Sequence, residues 1–358
     1  MMHSERSSRS RRRVVATGLV LGVAVSGAVA VKVIRARRAQ AQVTTVGPAG
    51  VTRPVLLVNP ASGDGKADRY GLVDRARESG IEVHVLAPEE DLTAVAEAAI
   101  RDGADALGMA GGDGSLGVVA AVAISHNRPF FCIPVGTRNH FAMDVGLDRD
   151  DPVAALAAVE GDEILLDYGT IDDRVFVNNV SFGVYAEAVQ DSDYRDDKGR
   201  VLADKFRDAL STDEQQETTL QYELPEFETA RDVQLLLVSN NPYSITGPPD
   251  FGRRQYLDSG TLGVLAFEPP KESERGGPGL TQTSDQVMVT TPSSSTSTIP
   301  VAIDGESAEY DSPIEIRMHA KGLRLLVPPG VRPGFLSTGL EKVAEIADLA
   351  HLGGDEDR

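Results

Sequence analysis

Ala110-Gly111-Gly112-Asp113-Gly114-Ser115-Leu116 is the stretch on which the reading of this chain turns. It follows the apolar, strand-like Ala106-Leu107-Gly108-Met109 and runs into Leu116-Gly117-Val118-Val119-Ala120-Ala121-Val122, whose composition suits a buried helix. A glycine turn between strand and helix aims backbone N–H groups and the positive end of the helix dipole at one point, which favours a phosphate. Asp113 is the odd member, because a carboxylate repels a phosphate unless a metal ion or a hydroxyl lies between them. The turn therefore points to a nucleotide handled with Mg²⁺ rather than to plain anion binding.

The same strand–turn–helix grammar repeats on either side. Val55-Leu56-Leu57-Val58 ends in the polar Asn59-Pro60-Ala61-Ser62-Gly63-Asp64-Gly65-Lys66, with a helix expected over Arg69 to Ser79. Ile81 to Leu86 reads as a strand and Leu92 to Ile100 as a helix. Phe131 to Val135 is a further strand, closing in Gly136-Thr137-Arg138-Asn139-His140-Phe141-Ala142. Repeated units of this kind predict a parallel sheet with its ligand loops gathered at the strands' carboxyl ends. From about Ile164 the texture changes to short β-type runs: 175–177, 219–224, 233–238, 262–267, 287–290, 300–303 and 314–318. That spacing predicts an antiparallel sandwich or barrel. The Ser/Thr/Gly/Pro-rich stretches 271–286 and 291–298 read as loops, and Leu340, Val343, Ile346 and Leu349 fall at helical spacing. The expected organisation is a basic-flanked apolar segment over 1–42, a linker over 43–52 and an α/β lobe over 53–162. A β-sandwich lobe over 163–330 and a C-terminal helix with an acidic tail over 331–358 complete it.

Charge and cysteine content exclude several classes. The 358 residues carry a net charge of −19, distributed as +8 over the first 42 residues and −27 over the rest. An acidic body argues against nucleic acid as a partner. A single cysteine, Cys132 in Phe130-Phe131-Cys132-Ile133, rules out an intramolecular disulfide framework and reads as a buried, inert thiol. Arg11-Arg12-Arg13 and the cluster Lys32 to Arg38 bracket the uncharged Val14–Val31. Basic flanks suit a single membrane anchor. A cleaved twin-arginine-like signal ending at Ala39-Gln40-Ala41 is the alternative.

Two familiar phosphate motifs fail on inspection. Gly112-x-Gly114-x-x-Gly117 matches the dinucleotide fingerprint in letters only, since it sits at the third strand and lacks the acid about twenty residues on. Gly63-Asp64-Gly65-Lys66 lacks the spacing and the following Ser/Thr of a Walker A loop. The informative feature is the ordered set Asn59-Pro60-x-Ser62-Gly63, Gly111-Gly112-Asp113-Gly114-Ser115 and Gly136-Thr137-x-Asn139-x-Phe141-Ala142, followed by Ile303-Asp304-Gly305-Glu306. Over about residues 53–328 this set resembles the diacylglycerol kinase catalytic-domain family, which includes bacterial lipid kinases and sphingosine kinases and is more distantly similar to NAD kinases.

The resemblance implies a nucleotide lobe and a β-sandwich lobe with the active site between them, ATP and Mg²⁺ as cofactors, and a lipid substrate met at a membrane surface. Asn59, Gly111, Gly112, Asp113, Gly114, Ser115, Thr137 and Asn139 would bind the nucleotide. Glu306 would be the general base, with Asp304 in support; an extended segment would point both carboxylates the same way. Asp258, in Tyr256-Leu257-Asp258-Ser259-Gly260-Thr261-Leu262, is the candidate for a structural Mg²⁺. Two positions depart from the family pattern: His140 stands where an Asp is usual, and Ser259 replaces the Asp before the glycine. An ATP-using enzyme on such an anchor would face the cytoplasm. A soluble-substrate kinase of the NAD kinase type and a non-catalytic nucleotide or lipid binder are the alternatives. Oligomeric state and the identity of the lipid are not legible.

Overall fold

Where a linker is expected, Thr44–Pro48 is a strand, β1: Thr44, Thr45 and Val46 are β-branched, and the segment pairs with the chain over Asp162 to Leu165. The computed structural model describes residues 43–183, 220–226, 230–244, 254, 256–267, 280–291 and 298–331, and all of them belong to one unit of the chain. The N-terminal apolar segment and the C-terminal helix expected from sequence lie outside these residues. Among the described residues no helix is long and apolar enough to cross a membrane.

The α/β lobe follows the predicted alternation. β2 (Pro54–Val58), β3 (Glu82–Val85), β4 (Ala106–Gly111) and β5 (Phe130–Pro134) pair in parallel in the order β5-β4-β2-β3. Every residue of β2, β4 and β5 is buried, as continuous apolar runs in a parallel sheet must be. The helix expected over 69–79 is two helices, α1 (Lys66–Arg69) and α2 (Leu72–Glu78), because Gly71 between them is left-handed at φ 57°. Helix α3 (Leu92–Arg101) starts on an Asp91 cap that accepts from the Ala94 N–H. Helix α4 (Asp113–Ser125) begins three residues earlier than the apolar run suggests, with extended Gly112 as its cap. The Gly-Gly-Asp-Gly stretch is thus itself the helix start. A short α5 (His140–Val145) follows β5, capped by left-handed Asn139.

The second lobe is built from antiparallel strands. The chain runs through β6 (Asp162–Ile171), β7 (Arg174–Phe176), β8 (Asn179–Gly183), β9 (Leu220–Glu223), β10 (Arg231–Val233), β11 (Leu235–Asn240) and β12 (Leu262–Phe267). β13 (Leu280–Ser284), β14 (Gln286–Thr290), β15 (Thr298–Ile303), β16 (Glu306–Asp311) and β17 (Ile314–Val327) complete it. β13 occupies part of the Ser/Thr-rich stretch expected as loop, and it is held by pairing to β12. The order β13-β12-β11-β8-β15-β16 makes one sheet. Its apolar face (Val180, Phe182, Leu236, Val238, Val264, Val301) meets that of β9, β14 and the start of β17 (Tyr222, Val287, Val289, Ile314, Ile316) in a second core.

β6 and β17 join the two lobes. They pair antiparallel from Ile171↔Ile316 to Asp162↔Val327, with an irregularity between His319 and Leu323. At one end Leu325 pairs in parallel with Phe130 of β5, and at the other β17 pairs with β14. Leu166, Leu323 and Leu325 belong to the first core and Ile171, Ile314 and Ile316 to the second. One ribbon therefore sets the position of each lobe against the other.

Candidate active site

Three loops leave the carboxyl edge of the parallel sheet, and backbone hydrogen bonds stitch them together. The Asn59 N–H donates to the Ala110 carbonyl at 3.0 Å, and the Gly136 N–H to that of Gly111 at 3.1 Å. Gly136 packs directly on Gly112, since a methyl on Gly136 would lie 2.9 Å from the Gly112 nitrogen. Gly63, left-handed at φ 57°, leaves no room for a side chain against the Val135 carbonyl. These glycines are where backbone meets backbone, which is why the residue type is needed.

The side chains of several residues expected to touch a nucleotide hold the loops together. Asp113 is buried, and its two oxygens accept the N–H groups of His140 at 3.0 Å and Phe141 at 3.1 Å, the first turn of α5. The charge conflict inferred from sequence is resolved in this way, because the carboxylate faces two helix-end donors. Asn139, fully buried, accepts from the Gly136 N–H at 2.9 Å and donates to the Gly136 carbonyl at 2.5 Å, so its side chain closes its own loop. Asn59 accepts from the Ala61 N–H at 3.0 Å. Thr137 is exposed, while Gly114 and Ser115 are half-buried at the start of α4.

Beside these loops opens a cleft of about 610 Å³ lined by Gly63, Lys66, Arg69, Gly136, Thr137 and Arg149, among others. Lys66 donates to the Arg149 carbonyl, Arg69 to that of Gly63 at 3.0 Å, and the Tyr70 hydroxyl to that of Asp150 at 2.9 Å. Burial, with Arg149 and Arg69 alongside, holds the Lys66 ammonium below the ordinary lysine range against the pull of Asp150. Lys66, Arg69 and Arg149 line this concavity together with Asp64 and Asp150, and of the three cations only Lys66 stands in a motif weighed from sequence, the failed Walker A match. Cys132 is buried within β5, and desolvation pushes its thiol far up, as an inert cysteine requires.

The Asp-Gly-Glu segment is not extended. Asp304 (φ 49°) and Gly305 (φ 89°) are both left-handed and form a two-residue hairpin turn, with Ile303 paired to Glu306. The two carboxylates therefore part company. Asp304 turns inward and accepts the N–H groups of Val177 at 2.9 Å, Asn178 at 2.8 Å and Asn179 at 3.0 Å. Burial pushes its carboxyl up to about 6; these donors oppose the rise and the negative charge of Asp113 adds to it. Glu306 reaches across to the α/β lobe. Its Cγ would lie 3.0 Å from a methyl placed on Gly114, with its carboxylate nearer still. Glu306 Oε2 accepts from Arg174 at 3.1 Å. Glu306 meets α4 at Gly114, and Asp304 lies deeper along the same helix face, its Oδ2 3.6 Å from a methyl placed on Gly117. Arg174 had no motif to mark it.

Asp258 lies away from this junction. It is buried, and its Oδ1 has no hydrogen-bond partner. Neighbouring Asp167, fully buried, spends both oxygens on the N–H groups of Gly260 and Lys321, each at 2.7 Å. Burial raises both carboxyls above their ordinary range. Ser259 donates from its hydroxyl and its N–H to Asn241 Oδ1, at 2.6 and 2.9 Å.

The architecture is thus a parallel-sheet lobe with a glycine-rich helix start, facing a β-lobe that supplies one carboxylate to it. Residues 53–171 match the family model of the diacylglycerol kinase catalytic domain. Diacylglycerol kinases of Staphylococcus aureus strains JH9 and Newman are each 33% identical to this chain over 137 residues, 37% of its length and 44% of theirs. The chain thus matches less than half the length of these relatives. The crystal structure of a diacylglycerol kinase from Bacillus anthracis str. Sterne has a TM-score of 0.55 at 15% identity, covering 79% of this chain and 99% of that one. A second structure from the same organism reaches 0.60 at 17%, covering 78% and 97%. At such identities the likeness is one of fold.

The family implies ATP and a divalent ion. Among the described residues no three His, Cys, Asp or Glu side chains converge as metal ligands. The orphaned, buried Oδ1 of Asp258 fits a Mg²⁺ that keeps most of its water, since that ion is commonly held by only one or two carboxylates.

Proposed function

We propose that this protein is an ATP-dependent lipid kinase that transfers the γ-phosphoryl group to a hydroxyl of a diacylglycerol-like lipid. The observation that carries the reading is the seat of Glu306 against Gly114, at the N-terminus of α4. Phosphoryl transfer asks the protein for position and charge more than for covalent chemistry. The free N–H groups at the start of α4 receive phosphate oxygens, and Lys66, Arg69 and Arg149 balance the remaining charge along the cleft. Gly111, Gly112 and Ser115 shape that seat, with Thr137 at its mouth. Asp113, Asn139 and Asn59 hold the three loops in register. Glu306, oriented by Arg174, takes the proton from the lipid hydroxyl as that oxygen attacks the γ-phosphorus and ADP departs. Asp304 acts from behind by fixing the turn that presents Glu306. Mg²⁺, carried on the nucleotide, would neutralise charge on the transferring phosphoryl group. Asp258 would hold a second, structural Mg²⁺. The basic segment before residue 43 would keep the acidic body at an anionic membrane surface, facing the cytoplasm.

The test is transfer of labelled phosphate from ATP, with Mg²⁺, to diacylglycerol, ceramide, sphingosine and NAD, each presented to the full chain in mixed micelles. Labelled diacylglycerol is the expected product. Label on NAD alone, or ATP binding with no labelled acceptor, overturns the proposal in favour of a soluble-substrate kinase or a binding protein.

A further inference from the structure

Arg254 is 0% exposed and heads the largest fully buried side chains among the described residues. A guanidinium is tolerated there only if its N–H groups all find acceptors, because desolvation of an unpaired charge costs several kcal/mol. Its acceptors come from separate parts of the fold. Nε donates to Asp144 Oδ2 at 2.6 Å, and Nη2 also pairs with that carboxylate. Nη2 donates to Asn178 Oδ1 at 2.7 Å, and Nη1 to the carbonyls of Val177 at 2.7 Å and Asn240 at 3.0 Å. The Tyr243 ring lies 5.9 Å from the guanidinium carbon.

The partners of Arg254 are those of the active site. Asp144 is on α5, whose first N–H groups are held by Asp113 of the glycine turn. Val177 and Asn178 carry the N–H groups that Asp304 grips, two residues before Glu306. The stretch 177–179 is held from its acceptor side by Arg254 and from its donor side by Asp304. The contacts close into a ring: Gly114 and Asp113, α5, Asp144, Arg254, residues 177–179, Asp304, and Glu306 back on Gly114.

We propose that Arg254, paired to Asp144, is a positioning residue that holds the lobes in the one arrangement where Glu306 meets the nucleotide turn. Its role in turnover rests on the kinase reading; its grip on 177–179 does not. Lysine cannot take the place of arginine here. A single ammonium can reach Asp144, but it lacks the planar fork that binds two carbonyls and an amide oxygen at once.

The test uses the full chain with Arg254→Lys and, as the isosteric partner change, Asp144→Asn, at a temperature where circular dichroism shows the variants folded. Three quantities are read: kcat, KM for ATP, and amide hydrogen exchange by segment. In both variants kcat should fall about tenfold or more with KM for ATP within about threefold, as for a misplaced catalytic group. Exchange at 177–179 should quicken about tenfold or more while α2 and α3 keep wild-type protection. The double variant should lose no more than the worse single one. Wild-type kcat and exchange in both variants would overturn the proposal. So would faster exchange throughout the chain, with activity falling only as the folded fraction falls. Should the wild-type chain phosphorylate no lipid, the functional reading fails, and the exchange of 177–179 alone still decides the role of Arg254.

Discussion

Replacing Gly114 by alanine separates the chemistry from the fold more sharply than removing a catalytic group does. Gly114 lies in the first turn of α4 at an ordinary negative φ, so alanine suits its backbone and gains about 0.5–1 kcal/mol in helix propensity. The three nearest atoms to the new methyl all belong to Glu306: Cγ at 3.0 Å, with Cδ and Oε1 closer. Ordinary carbon contacts lie near 3.5–4.0 Å, so the carboxylate must retreat by on the order of 1.5 Å. It can do so cheaply, being the far end of a half-exposed side chain. A displacement of about 1 Å costs a reacting group on the order of 10²-fold, which is about 2.7 kcal/mol of transition-state stabilisation. Gly114→Ala should therefore melt at or above the wild-type temperature and bind ATP within a few-fold of it, while kcat in the micelle assay falls about 10²-fold. Undiminished kcat at wild-type stability would refute the placement of the base beside the helix start.

Further outcomes follow from the neighbouring residues. The Asp304 carboxyl stands near 6 in the folded protein against about 3.8 ordinarily, so the folded state binds its proton more readily. Its contribution to stability is full below about pH 3.8 and is lost as pH rises through 6, up to about 3 kcal/mol; wild-type melting temperature should drop relative to Asp304→Asn across that window. Activity should run the opposite way, rising through pH 6 as the ionised carboxylate takes all three N–H groups, and Asp304→Asn should lack this acid limb. Gly136→Ala forces a methyl to 2.9 Å from the Gly112 nitrogen, where no flexible side chain can yield. Thermal unfolding should show a loss of about 1–3 kcal/mol, with ATP affinity falling too, unlike Gly114→Ala. If Asp258 holds Mg²⁺, the ion should raise the melting temperature of wild type but not of Asp258→Asn, measured without nucleotide.

The loops at the sheet edge were legible because local chemistry makes them. Asn59, Gly111-Gly112 and Gly136 each follow an apolar run too short for a helix, and they are turn residues for steric reasons. The ribbon that joins the lobes was not. β17 shows its strand pattern only to Met318, and His319-Ala320-Lys321-Gly322 breaks the alternation where the pairing with β6 slips. β1 and β13 are polar or proline-bearing runs that become strands because a partner edge is waiting. At the site, sequence supplied Asp304 and Glu306 but not their divergence, which follows from two left-handed residues in succession. Arg174, Asp144 and Arg254 left no trace, since their partners are 14 to 132 residues away and several are backbone carbonyls. Asp113 carries the opposite lesson: its residue type suggested a metal or hydroxyl contact, and the fold spends it on two N–H groups of α5.

The most direct measurement on the central claim is kcat for phosphate transfer from ATP to diacylglycerol by Glu306→Gln, beside its affinity for ATP. Glutamine keeps the size of the side chain and an acceptor oxygen for Arg174 but cannot accept the hydroxyl proton. ATP affinity should stay within a few-fold of wild type and kcat should fall by about 10²–10⁴-fold, the usual share of a general base. Wild-type kcat in this variant would contradict the claim and remove Glu306 from the chemistry.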